Sequence, residues 1–222
     1  MMERKTACAI YQALRDRYPP AIEGGISYGD PFRVLVLTIL SAQTTDRAVA
    51  AVGPHLFSKY PTPQALAAAD PGEVGEIIRP TGFYQVKARH IIGTARMIVD
   101  EYAGEVPRTL EDLTRLPGVG RKTANIVLSN AFGTDEGIAV DTHVRRISGL
   151  LGLTDETDPV KVERDLTATF PKEVWGEINA LLVQHGRAVC IARRPRCEAC
   201  MLTPWCRYFR EESQGRKGAQ TR

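Results

Sequence analysis

Four of the chain's five cysteines crowd into one short stretch and read C-x6-C-x2-C-x5-C: Cys190, Cys197, Cys200 and Cys206. Thiolates clustered this tightly usually share a metal centre, and a shared centre dictates how the chain around it must fold. The spacing departs from the paired C-x2-C motifs of zinc ribbons and from both ferredoxin runs, so it points to a particular cluster-binding loop. No apolar run approaches the roughly 20 residues of a membrane helix, and the opening Met1-Met2-Glu3-Arg4-Lys5 leads into no signal-peptide core. The expected compartment is the cytoplasm, where thiols stay reduced. Four clustered cysteines with Cys8 left over fit metal ligation better than disulfide pairing. Cys8 is expected to be a small buried hydrophobe of the first helix.

The 222 residues suffice for one large domain or two modest ones. Their pattern is all-α. Residues 3–17 are amphipathic, with Ala7, Ile10, Tyr11 and Leu14 at helical spacing. Residues 32–43 are strongly apolar, and Val34, Val36 and Ile39 would also suit a buried strand. Thr62-Pro63, Asp70-Pro71 and Asp158-Pro159 each set a capping side chain before a proline at the first helical position. Asp70 and Glu73 have capping-box spacing. Further helices are expected over 84–102, after Thr109, and over 121–132, 142–151, 159–169 and 173–189.

The net charge of +3 is only mildly basic. Its distribution says more, because Arg187, Arg193, Arg194, Arg196, Arg207 and Arg210 surround the cysteines. Such a local basic surface would attract phosphates, although a solvated charged face has the same composition.

The second strong signal is Leu116-Pro117-Gly118-Val119-Gly120-Arg121-Lys122-Thr123-Ala124. Gly118 and Gly120 allow a tight hairpin through conformations closed to other residues, and a new helix starts near Arg121. The unpaired N–H groups of that helix start can bind phosphate without reading sequence. The glycines alone would equally suit an ordinary joint between helices, and the run lacks the spacing of a P-loop. Lys122 adds chemistry. In the first turn of a helix the dipole disfavours an ammonium, more so with burial, and a neutral amine suits Schiff-base chemistry. Further on, Ile138-Ala139-Val140-Asp141-Thr142-His143 sets Asp141 where it can cap the next helix. A carboxylate there could also deprotonate a nearby lysine or stabilise positive charge on a sugar. The default role of His143 is structural.

Taken together, these residues resemble the endonuclease III family, helix-hairpin-helix DNA glycosylase/AP lyases that carry a [4Fe–4S] cluster. The resemblance rests on Leu40-Ser41-Ala42-Gln43-Thr44-Thr45-Asp46, Gly82-Phe83-Tyr84 with Lys87-Ala88, the hairpin, Val140-Asp141-Thr142-His143, His185-Gly186-Arg187 and the four cysteines, in order from about residue 30 to 206. It implies that Lys122 attacks the sugar C1′ of a damaged nucleotide. The base then leaves, a Schiff base forms, and β-elimination cuts the strand. It implies that Asp141 assists the attack and that Gln43 enters the gap left in the duplex. Phe83 would wedge into the base stack, at a position where relatives often carry leucine. The DNA-contacting set is then Gln43, Phe83, Gly118, Val119, Gly120, Arg121, Thr123 and His143, with Arg193, Arg194 and Arg196 of the basic loop. Cys190, Cys197, Cys200 and Cys206 would hold the [4Fe–4S] cluster in a structural, DNA-positioning role.

The implied fold has two lobes with a DNA cleft between them. Residues 25–135 would form a helical barrel carrying the helix-hairpin-helix motif at about 109–131. Residues 1–24 and 136–210 would form the cluster lobe, and 211–222 a disordered tail. The implied partner is duplex DNA with damaged pyrimidines or abasic sites, met by a monomer at the nucleoid of a bacterium and away from any membrane. The adenine-specific branch of the superfamily usually has serine in place of the lysine and adds a C-terminal domain. The alternatives that stay open are a monofunctional mismatch glycosylase and a non-enzymatic DNA-binding module whose cysteines hold zinc.

Overall fold

Side-chain caps open most of the helices. The computed structural model describes residues 2–18 and 29–211. The expected boundary at 24–25 and, Glu211 apart, the expected tail lie outside the described residues. The helices run α1 (Arg4–Arg17), α2 (Pro31–Leu40), α3 (Asp46–Lys59), α4 (Pro63–Ala67), α5 (Pro71–Ile78), α6 (Tyr84–Glu101), α7 (Leu110–Arg115), α8 (Arg121–Phe132), α9 (Thr142–Leu151), α10 (Pro159–Thr169) and α11 (Trp175–Ala188). No strand occurs among the described residues.

The chain divides into two compact units, Ile26–Glu136 and a second built from Met1–Gly25 with Gly137–Arg222. In the first, α2 is the central helix and packs on α8, α6 and α3. Its ambiguous apolar run is helical because Asp30 accepts from Phe32 N at 2.9 Å while Pro31 occupies the first turn. Burial of Phe32, Val34, Leu35, Val36, Leu37, Ile39 and Leu40 on nearly all sides then outweighs their β-branching. Helix α6 supports α4 and α5. Thr62 and Asp70 cap those two helices as the Thr-Pro and Asp-Pro pairs predict. The capping box is half made, because the Glu73 carboxylate turns instead to Tyr60, 2.6 Å away, and to Lys59. Helix α3 is the element that the sequence pattern did not single out. Thr45 caps it without a following proline, and Pro54 lies within it.

The second unit packs α1 and α9 on α11, with α10 against α9. Its core joins Ala7, Ile10 and Leu14 to Ile138, Val144, Ile147, Leu166, Leu182 and Leu202. Cys8 is exposed rather than buried. It stands one residue past Ala7, about 100° around the helix and off the buried stripe. No helix among the described residues is long and apolar enough to cross a membrane.

Candidate functional site

The hairpin between α7 and α8 is fastened to α6 from three directions. Thr94 Oγ1 donates to the Pro117 carbonyl at 2.8 Å. The Pro117 ring lies over Gly93, close enough that a Cβ there would meet its Cγ at 3.3 Å. Gly118 turns with φ +76 against the His90 ring. Leu116 and Val119 are buried, and Val119 N donates to the Leu116 carbonyl, so Val119 packs the turn and presents no side chain. Gly118 therefore needs to be glycine. Gly120 corrects the expectation: its φ −88 and ψ 172 are extended backbone open to any residue. What distinguishes Gly120 is space, because a Cβ there would meet no atom within 4 Å.

Helix α8 starts at this turn with no side-chain cap. Its first N–H groups thus keep the anion-binding character of a helix N-terminus. Arg121 and Lys122 are exposed in that first turn and Thr123 is half-buried.

Two further turns of the same unit carry Gln43 and Phe83. Both residues are left-handed, with φ 52 and φ 48, an uncommon state for a residue with a Cβ and an outlier for an aromatic one. Gln43 is exposed between α2 and α3. Phe83 stands at the N-terminus of α6 with 67% of its surface exposed, which no requirement of the core explains. Lys87, one turn into α6, is buried at 5% exposure and donates to the carbonyls of Leu40 and Thr81 at 2.9 and 2.8 Å. Burial lowers its pKa. The sequence signal for this residue was a lysine inside the apolar stripe of Ala88, Ile91, Ala95 and Ile98.

In the other unit, Asp141 caps α9 and accepts from Val144 N at 2.8 Å through Oδ1, which leaves Oδ2 outside that bond. Asn179 steadies the preceding segment by donating to the Ala139 carbonyl at 2.6 Å. His143 packs on Gly186, and its buried Nδ1 has no partner among the described residues.

The four cysteines are half-buried. Arg146 donates to the Cys190 carbonyl at 2.7 Å and reaches its Sγ at 3.5 Å. His185 Nε2 lies 3.5 Å from Cys200 Sγ, and its Nδ1 meets Tyr18 Oη at 3.0 Å. Burial, then the Arg146 charge, push His185 down to about 4. Burial raises the Cys190 and Cys200 thiols, and the charges of Cys190, Cys206 and Cys197 raise Cys200 further. Among the described residues, no three His, Cys, Asp or Glu side chains gather closely enough to hold a single metal ion. The loop after Cys190 is closed by backbone bonds, with the Val189 carbonyl accepting from Ile191 N and Arg196 N, both at 2.9 Å. Arg193, Arg194 and Arg196 are exposed on it.

A helical hairpin whose second helix starts without a side-chain cap, beside a lysine and on an all-α fold, is the arrangement of a helix-hairpin-helix protein. The profile described as "HhH-GPD superfamily base excision DNA repair protein" matches residues 36–172. An endonuclease III from Synechocystis sp. is 48% identical over 204 residues, covering 92% of this chain and 93% of the relative. A solved non-covalent endonuclease III–DNA complex is similar at a TM-score of 0.86 and 38% identity, covering 96% of this chain and 100% of that one. A trapped endonuclease III–DNA covalent intermediate is similar at 0.87 and 39% identity with the same coverage. The chain belongs to the endonuclease III family.

Proposed function

We propose that this chain is a bifunctional DNA glycosylase and AP lyase of base excision repair that removes oxidised pyrimidines from duplex DNA. The observation that carries this reading is the placement of Lys122, exposed in the first turn of α8 directly after the uncapped glycine turn. Phosphate held on the α8 amides and the backbone of Gly120 would bring a sugar to that amine. The Lys122 amine attacks C1′, the damaged base departs with the bonding pair, and the sugar opens to a Schiff base. β-Elimination then breaks the strand on the 3′ side. Asp141 takes the role of the assisting carboxylate. Gln43 and Phe83 fill the hole from which the base has left the stack, offsetting an extrusion cost of a few kcal/mol. A relative 39% identical to this chain forms a trapped covalent intermediate with DNA, which supports the covalent route.

Cys190, Cys197, Cys200 and Cys206 would hold a [4Fe–4S] cluster. The donor set fits: four half-buried thiols, with Arg146 and His185 beside two of them as hydrogen-bonding partners. The C-x6-C-x2-C-x5-C spacing, unlike the paired C-x2-C of zinc ribbons, is what supports iron–sulfur over zinc. Cys190 and Cys197, holding such a cluster, would tie the two ends of the basic loop and so help Arg193, Arg194 and Arg196 to meet DNA phosphates. The enzyme would work as a monomer at the nucleoid in the bacterial cytoplasm.

Borohydride reduction during incubation with abasic or oxidised-pyrimidine duplex tests the chemistry. The wild type should be trapped as a covalent adduct and Lys122→Gln should not. A wild type that forms no adduct would end the lyase reading. Iron without zinc in the isolated, yellow-brown protein should accompany the activity.

A further inference from the structure

Lys87 lies outside the chemistry assigned above, yet it occupies a place that stability alone does not favour. It is 5% exposed and makes no ion pair among the described residues. An ammonium taken from water is destabilised unless its hydrogens are satisfied, and an aliphatic side chain would fill the same stripe of α6 without that penalty. What an aliphatic residue could not do is donate. Lys87 Nζ gives one bond to the Leu40 carbonyl at 2.9 Å and one to the Thr81 carbonyl at 2.8 Å. Leu40 is the last residue of α2, so its carbonyl lacks a helical partner and faces the negative end of the dipole, where a cation is favoured. Thr81 is itself held, buried, with Oγ1 donating to the Ile78 carbonyl at 2.8 Å.

Those two carbonyls are the roots of two strained turns. Gln43 follows Leu40 and Phe83 follows Thr81 by a few residues, and each is left-handed, at φ 52 and φ 48. A residue held in that region is strained and persists only where its surroundings over-determine it. The Phe83 carbonyl also accepts from Lys87 N at 3.0 Å, so the same residue grips the Phe83 turn by main chain and side chain.

We infer that Lys87 is a positioning residue whose buried amine clamps the end of α2 to the Thr81 turn and so presents Gln43 and Phe83 to DNA as one rigid pair. The inference rests on the reading that these two side chains enter the base stack. Lys87→Met removes the donors and keeps the bulk. Single-turnover base excision should fall about tenfold, about 1.4 kcal/mol. A Lys87→Met/Phe83→Ala double variant should be no slower than the slower single variant, because both act through one element. Lys87→Met at wild-type rate, or effects that multiply, while Phe83→Ala and Gln43→Ala each slow excision, would overturn the clamp and leave the proposed function standing. Unchanged rates in Phe83→Ala and Gln43→Ala would instead refute the wedge reading, and the clamp's role with it. Lys87→Leu, which also lacks donors, serves if the methionine variant does not fold. In it, amide hydrogen exchange should quicken together at 41–45 and 82–84 and stay unchanged in α4, and unchanged exchange at both turns would also overturn the proposal.

Discussion

Gly118 lies against the ring of His90, and a Cβ on the glycine would sit 2.8 Å from Nδ1 and 2.9 Å from Cβ of the histidine. Gly118 also has φ +76, so alanine there meets backbone strain and a clash at once. Gly118→Ala should destabilise the protein by about 1–3 kcal/mol and weaken binding to abasic duplex. Gly120→Ala should stay within about 1 kcal/mol of the wild type, because its backbone is extended and its Cβ direction is open. It should still lose DNA affinity if a phosphate approaches there. Thermal melts and a binding titration on the two variants check the contrast.

Gly186 plays the same part under α9. A Cβ on it would meet His143 Nδ1 at 2.5 Å and Ile147 Cδ1 at 3.0 Å. Overpacking of this kind costs about 1–3 kcal/mol, so Gly186→Ala should lower the melting temperature. Adding His143→Ala should recover part of the loss, which additive effects would not do. If the double variant melts at the sum of the single shifts, His143 and Gly186 are not packed as described.

Features that depend on a few adjacent residues were legible in the sequence. Asp70-Pro71 and Asp158-Pro159 announce helix starts because cap and proline act within one turn. The run from Val34 to Leu40 was ambiguous between strand and helix until the Asp30 cap and all-round burial decided it. Helix α3 is not legible in the sequence because Pro54 interrupts a pattern whose burial of Val49, Val52, Leu56 and Phe57 comes from tertiary packing. Cys8 misled because a cysteine's preference for burial does not report which side of a helix it occupies. The site divides in the same way. Lys122 and Asp141, the residues proposed for the chemistry, each stand next to a local motif that the sequence shows. The grip of Arg146 on Cys190 spans 44 residues, and the clamp of Lys87 on Leu40 spans 47, so only the fold brings those groups together.

The basic loop makes a prediction about salt. Arg193, Arg194 and Arg196 are exposed on a segment closed by the Val189 carbonyl, so their contacts with DNA would be phosphate contacts of little sequence preference. Each one lost should reduce the slope of log K against log salt by about 0.9. A triple alanine variant should bind more weakly and with a flatter salt dependence, on damaged and undamaged duplex alike. An unchanged slope would place the loop away from the DNA.

Asp141 separates capping from catalysis. Its Oδ1 accepts from Val144 N at 2.8 Å, and asparagine is about as good an N-cap as aspartate. Asp141→Asn should therefore keep α9 intact and melt close to the wild type, whereas Asp141→Ala should lose about 1 kcal/mol with the cap. Activity should divide the variants differently. Asparagine retains an acceptor but carries no charge, so it can neither take a proton from an amine nor stabilise a cationic sugar. A positioned acid–base group contributes roughly 10²–10⁴-fold in rate, so base excision should fall by at least about a hundredfold in both variants. A single-turnover assay beside a thermal melt is sufficient. If Asp141→Asn turns over at the wild-type rate with an unchanged melt, Asp141 is a helix cap and the carboxylate that assists Lys122 must be sought elsewhere.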